Sequence, residues 1–272
     1  MFDQEATIVR RMAPLLQRVL ILDPQPDNAG IVGGLMRQVS HPEIRIEATN
    51  ARALKVCAKV KPQIIFAELA GEAVDGVAFT RSLRRSDMEC RKAPVILVSG
   101  QATAATILAA RDAGVHEFLR KPFTVKELLR RLEAVTLRPR DWVEAVAYVG
   151  PDRRRFNAGD YKGALKRHAD TETAPEFARI GQALKILRSA MGAVDQDPPQ
   201  AMRAMLAQAA DLQVAAGAIA DPKLATAAGG LHRYLFETAN AGAVARGAEL
   251  EQRAAPLLAH APRYMEDRSV AA

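Results

Sequence analysis

Residues 113–123 read AGVHEFLRKPF, and this stretch decides how the first half of the chain folds. It contains a short run typical of a β-strand, Glu117–Leu119, with Gly114 before it and the pair Lys121-Pro122 after it. Upstream, a short strand-like run followed by a longer helical pattern occurs four more times. Such alternation indicates a parallel sheet with crossover helices.

Five strands and five helices are therefore predicted in the first half. The third and fourth strands, IIFA and VILV, are continuous apolar runs, as expected for central strands covered on both faces. Five strand–helix repeats in about 120 residues predict an α/β fold, a flavodoxin-like doubly wound five-stranded parallel sheet of order 2-1-3-4-5. The predicted strands are Arg18–Leu22, Ile44–Thr49, Ile64–Ala67, Pro94–Val98 and Glu117–Leu119; the predicted helices are Ala29–Val39, Asn50–Val60, Gly76–Ser86, Ala102–Ala113 and Val125–Val135.

The segment 138–173 breaks this pattern. It combines turn-forming residues with many basic side chains, so we interpret it as a basic linker or arm. The turn formers and basic residues are Pro139, Gly150, Pro151, Gly159, Gly163, Arg138, Arg140, Arg153, Arg154, Arg155, Lys162, Lys166 and Arg167.

From Ala174 onward the chain is rich in alanine and has a helical pattern. Short connections imply antiparallel neighbours, so residues 174–262 are predicted to form an all-α helical bundle. Residues 1–17 are assigned to an N-terminal extension, 18–137 to the α/β domain and 263–272 to a tail. The predicted helices of the bundle are Pro175–Asp195, Pro199–Ala220, Pro222–Asn240 and Gly242–His260.

The composition narrows the class of protein. The formal net charge is +7, but aromatic residues make up only 5%, too few for the stacking surfaces that bind single-stranded nucleic acid. No run of about 18 apolar residues is present, and residues 1–17 lack the order of a signal peptide. Cys57 and Cys90 have no metal-ligand neighbours at useful spacing, so we expect reduced thiols in a cytoplasmic protein. The histidines are scattered, and we expect no enzyme activity.

Four segments, in this order and spacing, resemble the receiver domain of response regulators. They are RVLILDPQPDN (18–28), PQIIFAELAGEAVDG (62–76), PVILVSG (94–100) and AGVHEFLRKPF (113–123). The resemblance covers roughly residues 18 to 136, less than half of the chain. It implies the same fold as the strand pattern does.

The resemblance also implies a pocket. A working receiver has a phosphoryl-accepting aspartate at the end of strand three and two acids after strand one that hold Mg²⁺. In this chain the acceptor position falls on Glu68, and the acid positions fall on Asp23 and Pro24. The family's hydroxyl and lysine fall on Ser99 and Lys121.

Two further positions follow from the same resemblance. Phe118 occupies the family's aromatic switch position, three residues before the lysine. The bond between Lys121 and Pro122 corresponds to one that is cis in the family, and X-Pro bonds are where cis peptides occur.

Pro24 and Glu68 depart from the family pattern. Pro24 offers no side-chain ligand, whereas Mg²⁺ needs near-octahedral oxygen ligation. Glu68 has one methylene more than aspartate, which moves its carboxylate toward Ser99 and Lys121 and away from the geometry of attack. We therefore predict a receiver that does not accept phosphate, in which Glu68 binds Lys121 and partly mimics the phosphorylated state. The alternative is that Glu68 is a relic of a disused site.

Two weaker resemblances lie outside this domain. The run Gly150–Arg155 is similar to a tail that follows receivers in some proteobacterial response regulators. Within it Arg153, Arg154 and Arg155 are candidate anion ligands; a solvated arm is the alternative. Part of the bundle, Asp211–Gly217, is similar to the region after the phosphohistidine of histidine phosphotransfer domains, but the histidine would fall near Ala210.

These observations predict a non-catalytic cytoplasmic adaptor in a two-component-type circuit, with no cofactor or metal. Its partners would be signalling proteins, such as a kinase, a regulator or another adaptor. One alternative is a sensor of cyclic dinucleotides or other anions that uses the arginines, and another is a conventional phosphorylated response regulator. Nucleic acid is a minor alternative. The sequence leaves the partner and the oligomeric state open.

Overall fold

The computed structural model describes residues 2–153 and 175–265, which form two units. Of the described residues, the first unit contains those up to Val143 and those from Tyr148 to Arg153. The second contains Glu144–Ala147 and those from Pro175 onward. No helix in the described ranges is long and apolar enough to cross a membrane.

The first unit is built on a five-stranded sheet in which all strands run parallel, in the order β2-β1-β3-β4-β5. This confirms the predicted α/β fold and strand order. The strands are β1 (Arg18–Leu22), β2 (Glu43–Glu47), β3 (Ile64–Glu68), β4 (Val95–Ser99) and β5 (Glu117–Arg120), and the helices are α1 (Phe2–Met12), α2 (Pro26–Ser40), α3 (Asn50–Val60), α4 (Gly76–Arg85), α5 (Ala104–Asp112) and α6 (Val125–Thr136).

Side-chain caps determine where several of these helices begin. Asp75 Oδ1 accepts a hydrogen bond from Ala78 N (2.8 Å) at the start of α4. Thr124 and Glu127 form a reciprocal capping box at the start of α6. Both arrangements satisfy backbone N–H groups that have no partner within the helix, which stabilises each helix by about 1 kcal/mol.

The sheet separates two apolar cores, because successive strand residues point to opposite faces. In β3, Ile65 and Ala67 pack in the core that contains residues of α3 and α4, whereas Ile64 and Phe66 pack with α2 and α6. Burying each large aliphatic side chain contributes about 1.5–3 kcal/mol. The two faces explain why the central strands read as continuous apolar runs.

Residues 1–17, which the sequence pattern assigned to an extension, contribute to the core that contains residues of α2 and α6. Met12, at the end of α1, is fully buried there, and so is Leu16, which precedes β1. The apolar spacing of so short a helix does not reveal the surface that it covers, so the pattern gave no sign of this packing.

Part of the segment interpreted as a basic linker is a β-hairpin, formed by β6 (Trp142–Glu144) and β7 (Val149–Pro151). Val149 is buried, and its carbonyl oxygen lies where a side chain on Gly114 would be, 2.3 Å from the ideal Cβ position. Gly114 also has φ +86°, so only glycine fits here. Residues 154–173 of the predicted arm lie outside the described residues.

A fully buried arginine lies beneath this hairpin. Arg84 Nε donates to Gly114 O (3.0 Å) and Nη1 donates to Ala93 O (3.0 Å), while Nη2 lies 3.1 Å from His116 Nδ1. Its Cζ lies 5.3 Å from the centre of the Trp142 ring. Burial lowers the pKa of Arg84 to about 9. Carbonyl oxygens and a ring face therefore take the place of water around the guanidinium.

The second unit is helical, as predicted. The helix expected over Gly242–His260 begins five residues later, since Gly242 adopts φ +69° in the turn that follows the third helix of this unit. The helices are α7 (Pro175–Gly192), α8 (Pro198–Ala218), α9 (Pro222–Asn240), α10 (Gly247–Leu258) and α11 (Ala261–Met265).

Two buried glutamines explain why Glu144–Ala147 belongs to the second unit. Gln200 Nε2 donates to the Glu144 carboxylate (2.9 Å), and Gln208 Nε2 donates to the Glu144 carbonyl (3.1 Å). Glu144, Gln200 and Gln208 are all buried, so these bonds offset the loss of water around their polar atoms.

His116 makes the first unit sensitive to acid. Its Nδ1 accepts from Val95 N (3.3 Å) and faces Arg84, which leaves the ring proton on Nε2. Burial, and then the charges of Arg84 and Arg140, hold the pKa of His116 well below 6.5. Unfolding therefore exposes a group that takes up a proton below about pH 6.5, whereas the folded chain does not.

We expect the stability of the first unit to be fully present above about pH 6.5 and to fall below it, by up to about 1.4 kcal/mol per pH unit from this residue. His116→Asn keeps an acceptor near Nδ1 and does not titrate, so its stability should depend less steeply on pH. Urea unfolding followed by the fluorescence of Trp142, the only tryptophan, measures this. His41→Asn, at an exposed position, is the control, and equal slopes for His116→Asn and the unmodified protein would contradict the expectation.

Candidate functional site

Four polar side chains meet where the strands of the first unit end. Glu68 and Ser99 are the last residues of β3 and β4, and Asp23 and Lys121 directly follow β1 and β5. The carboxyl ends of parallel strands share one edge of the sheet, which is where doubly wound folds place their sites.

The Lys121 ammonium lies between two carboxylates. Its Nζ is 2.6 Å from Glu68 Oε2 and 3.3 Å from Asp23 Oδ2. The side chains of Lys121, Glu68 and Asp23 are 22%, 12% and 7% exposed, so all three are mostly shielded from water. The short contact with Glu68 is a charge-assisted hydrogen bond, the stronger class, and shielding from water increases its strength.

The other oxygen of each carboxylate is held by the backbone. Glu68 Oε1 accepts from Leu69 N (2.9 Å), and Asp23 Oδ1 accepts from Gln25 N (2.9 Å). Each carboxylate is thus bound at both oxygens and oriented toward the lysine. This fixes the direction of the longer Glu68 side chain.

Ser99 bonds to the backbone, although the longer Glu68 side chain was expected to extend toward it. Its buried hydroxyl accepts from Gln101 N (3.2 Å), and the described contacts include no hydrogen bond from Ser99 to Glu68. The Ser99 carbonyl accepts from Lys121 N (2.8 Å), which ties the loop after β5 to β4. The bond between Lys121 and Pro122 is cis, as the resemblance implies.

Two glycines shape the pocket beside Pro24. A Cβ on Gly71, in the short hairpin after β3, would lie 2.9 Å from Pro24 Cγ, so the proline ring packs against this glycine. A Cβ on Gly76 would lie 2.4 Å from Glu68 O. The motif contains both glycines, but only the structure reveals what they approach.

Comparison with known proteins identifies this domain. Residues 19–133 match the family model described as the response regulator receiver domain. Residues 19–133 form a response regulator receiver domain.

Similar proteins share this part of the chain, and they differ in how much of their own length it covers. Nitrogen assimilation regulatory protein NtrX of Azorhizobium caulinodans is 29% identical over 126 residues, 44% of this chain and 27% of that protein. Response regulator MprA of Mycobacterium bovis is 26% identical over 160 residues, 55% of this chain and 67% of that protein. Among solved structures, chemotaxis protein CheY4 of Vibrio cholerae aligns with a TM-score of 0.41 and 19% identity, over 44% of this chain and 98% of that chain.

The other residues singled out from the sequence lie in different surroundings. Phe118, which the resemblance places at the family's switch position, is 3% exposed and packs in the core shared with α3 and α4, whereas Pro122 is exposed. Arg153 Nη1 lies 3.1 Å from Asp112 Oδ1, and its Cζ lies 4.5 Å from the centre of the Tyr148 ring. Arg154 and Arg155 lie outside the described residues.

Within the ranges that the structure describes, no group of three or more histidine, cysteine, aspartate or glutamate side chains is arranged to hold a metal ion. In the receiver pocket, the carboxylates of Asp23 and Glu68 both bind Lys121. The pocket therefore holds a cation that belongs to the chain.

A double-mutant cycle measures what Glu68 and Lys121 contribute together. We expect Lys121→Met to destabilise the receiver more than Glu68→Gln does, because losing the lysine leaves two carboxylates without their shared cation. In contrast, Lys121 keeps Asp23 when Glu68 is neutralised. The coupling free energy should be about 1–2 kcal/mol, between the values typical of exposed and fully buried pairs.

Urea unfolding of the single and double variants gives this coupling. The exposed pair of Arg45 and Glu43, tested with Arg45→Met and Glu43→Gln, is the control and should give less than about 0.5 kcal/mol. Equal coupling in the two pairs, or a larger loss from Glu68→Gln than from Lys121→Met, would contradict this reading of the pocket.

Proposed function

We propose that this protein is a two-component-type signalling adaptor whose receiver reaches its signalling conformation without phosphorylation. It acts in the cytoplasm by binding other signalling proteins and catalyses no reaction itself. The observation that carries the proposal is the 2.6 Å contact between Glu68 Oε2 and Lys121 Nζ. It joins the position of the phosphoacceptor directly to the lysine of the family pattern.

Glu68 supplies the charge that a phosphoryl group would otherwise bring to the lysine. Its carboxylate is held at Oε1 by Leu69 N–H, so the contact does not depend on a freely rotating side chain. A glutamate carries one negative charge, whereas a phosphoryl group carries nearly two. Glu68 therefore imitates the phosphoryl group only in part. Such imitation suits a receiver whose signalling conformation is held by its own glutamate and does not depend on phosphorylation.

The residues present do not fit the Mg²⁺ site of a working receiver. Mg²⁺ requires near-octahedral oxygen ligands and uses carboxylates to balance its charge. Pro24 supplies no ligand and packs against Gly71, while Asp23 and Glu68 both bind the Lys121 ammonium. A metal ion there would have to compete with that ammonium.

The surface formed by α5, β5 and α6 is the proposed contact surface for a partner. Its position is taken from the family, and the loop before α6 contains Lys121. Leu108 on α5 and Val125 on α6 are large apolar side chains that are each 48% exposed. Both side chains are therefore accessible to a partner.

The alternatives have less support. A conventional phosphorylated regulator needs both a second acid after β1 and an aspartate at the end of β3, and this chain has Pro24 and Glu68 there. An anion sensor built on the basic segment would use Arg153, which already binds Asp112 and lies on the Tyr148 ring.

Phosphate labelling of four proteins tests the proposal. The unmodified chain, Glu68→Asp, Pro24→Asp and the double variant are incubated with Mg²⁺ and radiolabelled acetyl phosphate. We expect label only on the double variant, because both the acceptor and the second acid must be restored. The label should be removed by hydroxylamine, as an acyl phosphate is.

The matched control combines Pro24→Asp with Glu68→Asn, which restores the metal ligand with an acceptor that cannot be phosphorylated. It should stay unlabelled. Hydroxylamine-sensitive label on the unmodified protein would overturn the proposal.

A further inference from the structure

The fold brings two cysteines together at the end of the receiver sheet opposite the Lys121 pocket. Cys57 lies in the last turn of α3, and Cys90 lies in the 3₁₀ turn Glu89–Lys92 that precedes β4. Cys90 Sγ donates to Cys57 O at 3.2 Å, although the two residues are 33 positions apart. Both thiols are free and buried.

The two thiols differ in how easily they ionise. A hydrogen bond from the Cys57 thiol lowers the pKa of Cys90 against the opposing effect of burial; the charge of Arg84 lowers this pKa further, whereas the carboxylate of Glu89 raises it. The same hydrogen bond, together with burial, raises the pKa of Cys57. Cys90 is therefore the better thiolate, and Cys57 is its protonated neighbour.

Cys90, which is 6% exposed, is one of the residues that line a surface cleft of about 390 Å³. The cleft is also lined by Arg18 and Lys61, two basic residues at the amino ends of the strands, and by Pro94. Lys61 is paired with Glu89 at the surface, where both side chains are largely exposed. Glu89 lines the cleft too, so two basic side chains and one acid face it, and this small excess of positive charge favours a molecule that carries carboxylates.

We propose that Cys57 and Cys90 form a dithiol–disulfide site that reacts with small acidic disulfides, of which oxidised glutathione is the test compound. The Cys90 thiolate attacks one sulfur, the S–S bond of glutathione disulfide breaks, and one glutathione leaves as a thiolate. The Cys57 sulfur then attacks Cys90 Sγ, gives up its proton and releases the second glutathione. The two protein thiols lose two electrons, which reduce the external disulfide to two thiols.

Oxidation at this site is transmitted to the buried Arg84. The turn that contains Cys90 supplies Arg91 O, which accepts from Arg84 Nη1 at 2.5 Å, and Ala93 O, which accepts from the same nitrogen. Arg84 in turn lies on the Trp142 ring of the β6–β7 hairpin. A disulfide that draws the turn toward α3 therefore changes the surroundings of Trp142.

The experiment treats the native chain with oxidised glutathione, blocks remaining thiols with N-ethylmaleimide and identifies the products by mass spectrometry. We expect a Cys57–Cys90 disulfide, two glutathiones released per chain and a change in Trp142 fluorescence that dithiothreitol reverses. Cys57→Ser should stop at a glutathione adduct on Cys90, and Cys90→Ser should not react. Cystamine, a cationic disulfide, should react several-fold more slowly than oxidised glutathione.

If a variant does not fold, the unmodified protein still tests the proposal, because its reaction products and its rates with the two disulfides are measured without any substitution. Thiols that react only in denaturant, or an adduct that persists on Cys90 of the unmodified protein, would overturn the proposed site. Equal rates with cystamine would overturn the selectivity for acidic disulfides, and a disulfide that leaves Trp142 fluorescence unchanged would overturn the transmission to Arg84.

Discussion

The receiver pocket depends on one ammonium group placed between two carboxylates. Lys121 binds Glu68 and Asp23, and the backbone holds the second oxygen of each acid. Removing three charged groups from water is costly unless they satisfy one another. The ends of β1, β3 and β5 must therefore keep their spacing, so the charge arrangement and the sheet support each other. This makes the pocket a fixed structural feature of the chain as well as its candidate signalling site.

At the other end of the sheet a buried charge is also satisfied by its neighbours, but these neighbours are not carboxylates. Arg84 is fully buried, and its described contacts are carbonyl oxygens, the His116 ring and the face of Trp142. These contacts join α4, the turn before β4 and the β6–β7 hairpin. Burial disfavours the charged form of both side chains, and it is the main reason why the pKa values of Arg84 and His116 are lowered. Arg84 thus anchors Trp142, a residue of the hairpin that belongs to the first unit, from beneath.

The sheet could be predicted from the sequence. Continuous apolar runs such as IIFA and VILV predict buried central strands, and the alternation of strands and helices predicts the strand order. The resemblance to receivers was also sufficient to place Glu68, Ser99 and Lys121 in one pocket, and the structure brings them to the same edge of the sheet. The sequence was not sufficient for the hairpin, the packing of α1 or the pairing of Cys57 with Cys90. Those features depend on contacts between distant segments, and neither periodicity nor turn residues encode them.

The most direct test of the central claim is a titration of the unmodified chain with Mg²⁺ and then beryllofluoride, followed by the NMR amide signals of Leu69, Ser99 and Lys121. Beryllofluoride with Mg²⁺ stands in for the phosphoryl group at an aspartate. If Glu68 already binds Lys121 in place of that group, we expect no saturable shifts at these amides. Saturable shifts with millimolar or tighter affinity would show that the pocket still binds the metal and the phosphoryl mimic, and would contradict a receiver set by its own glutamate.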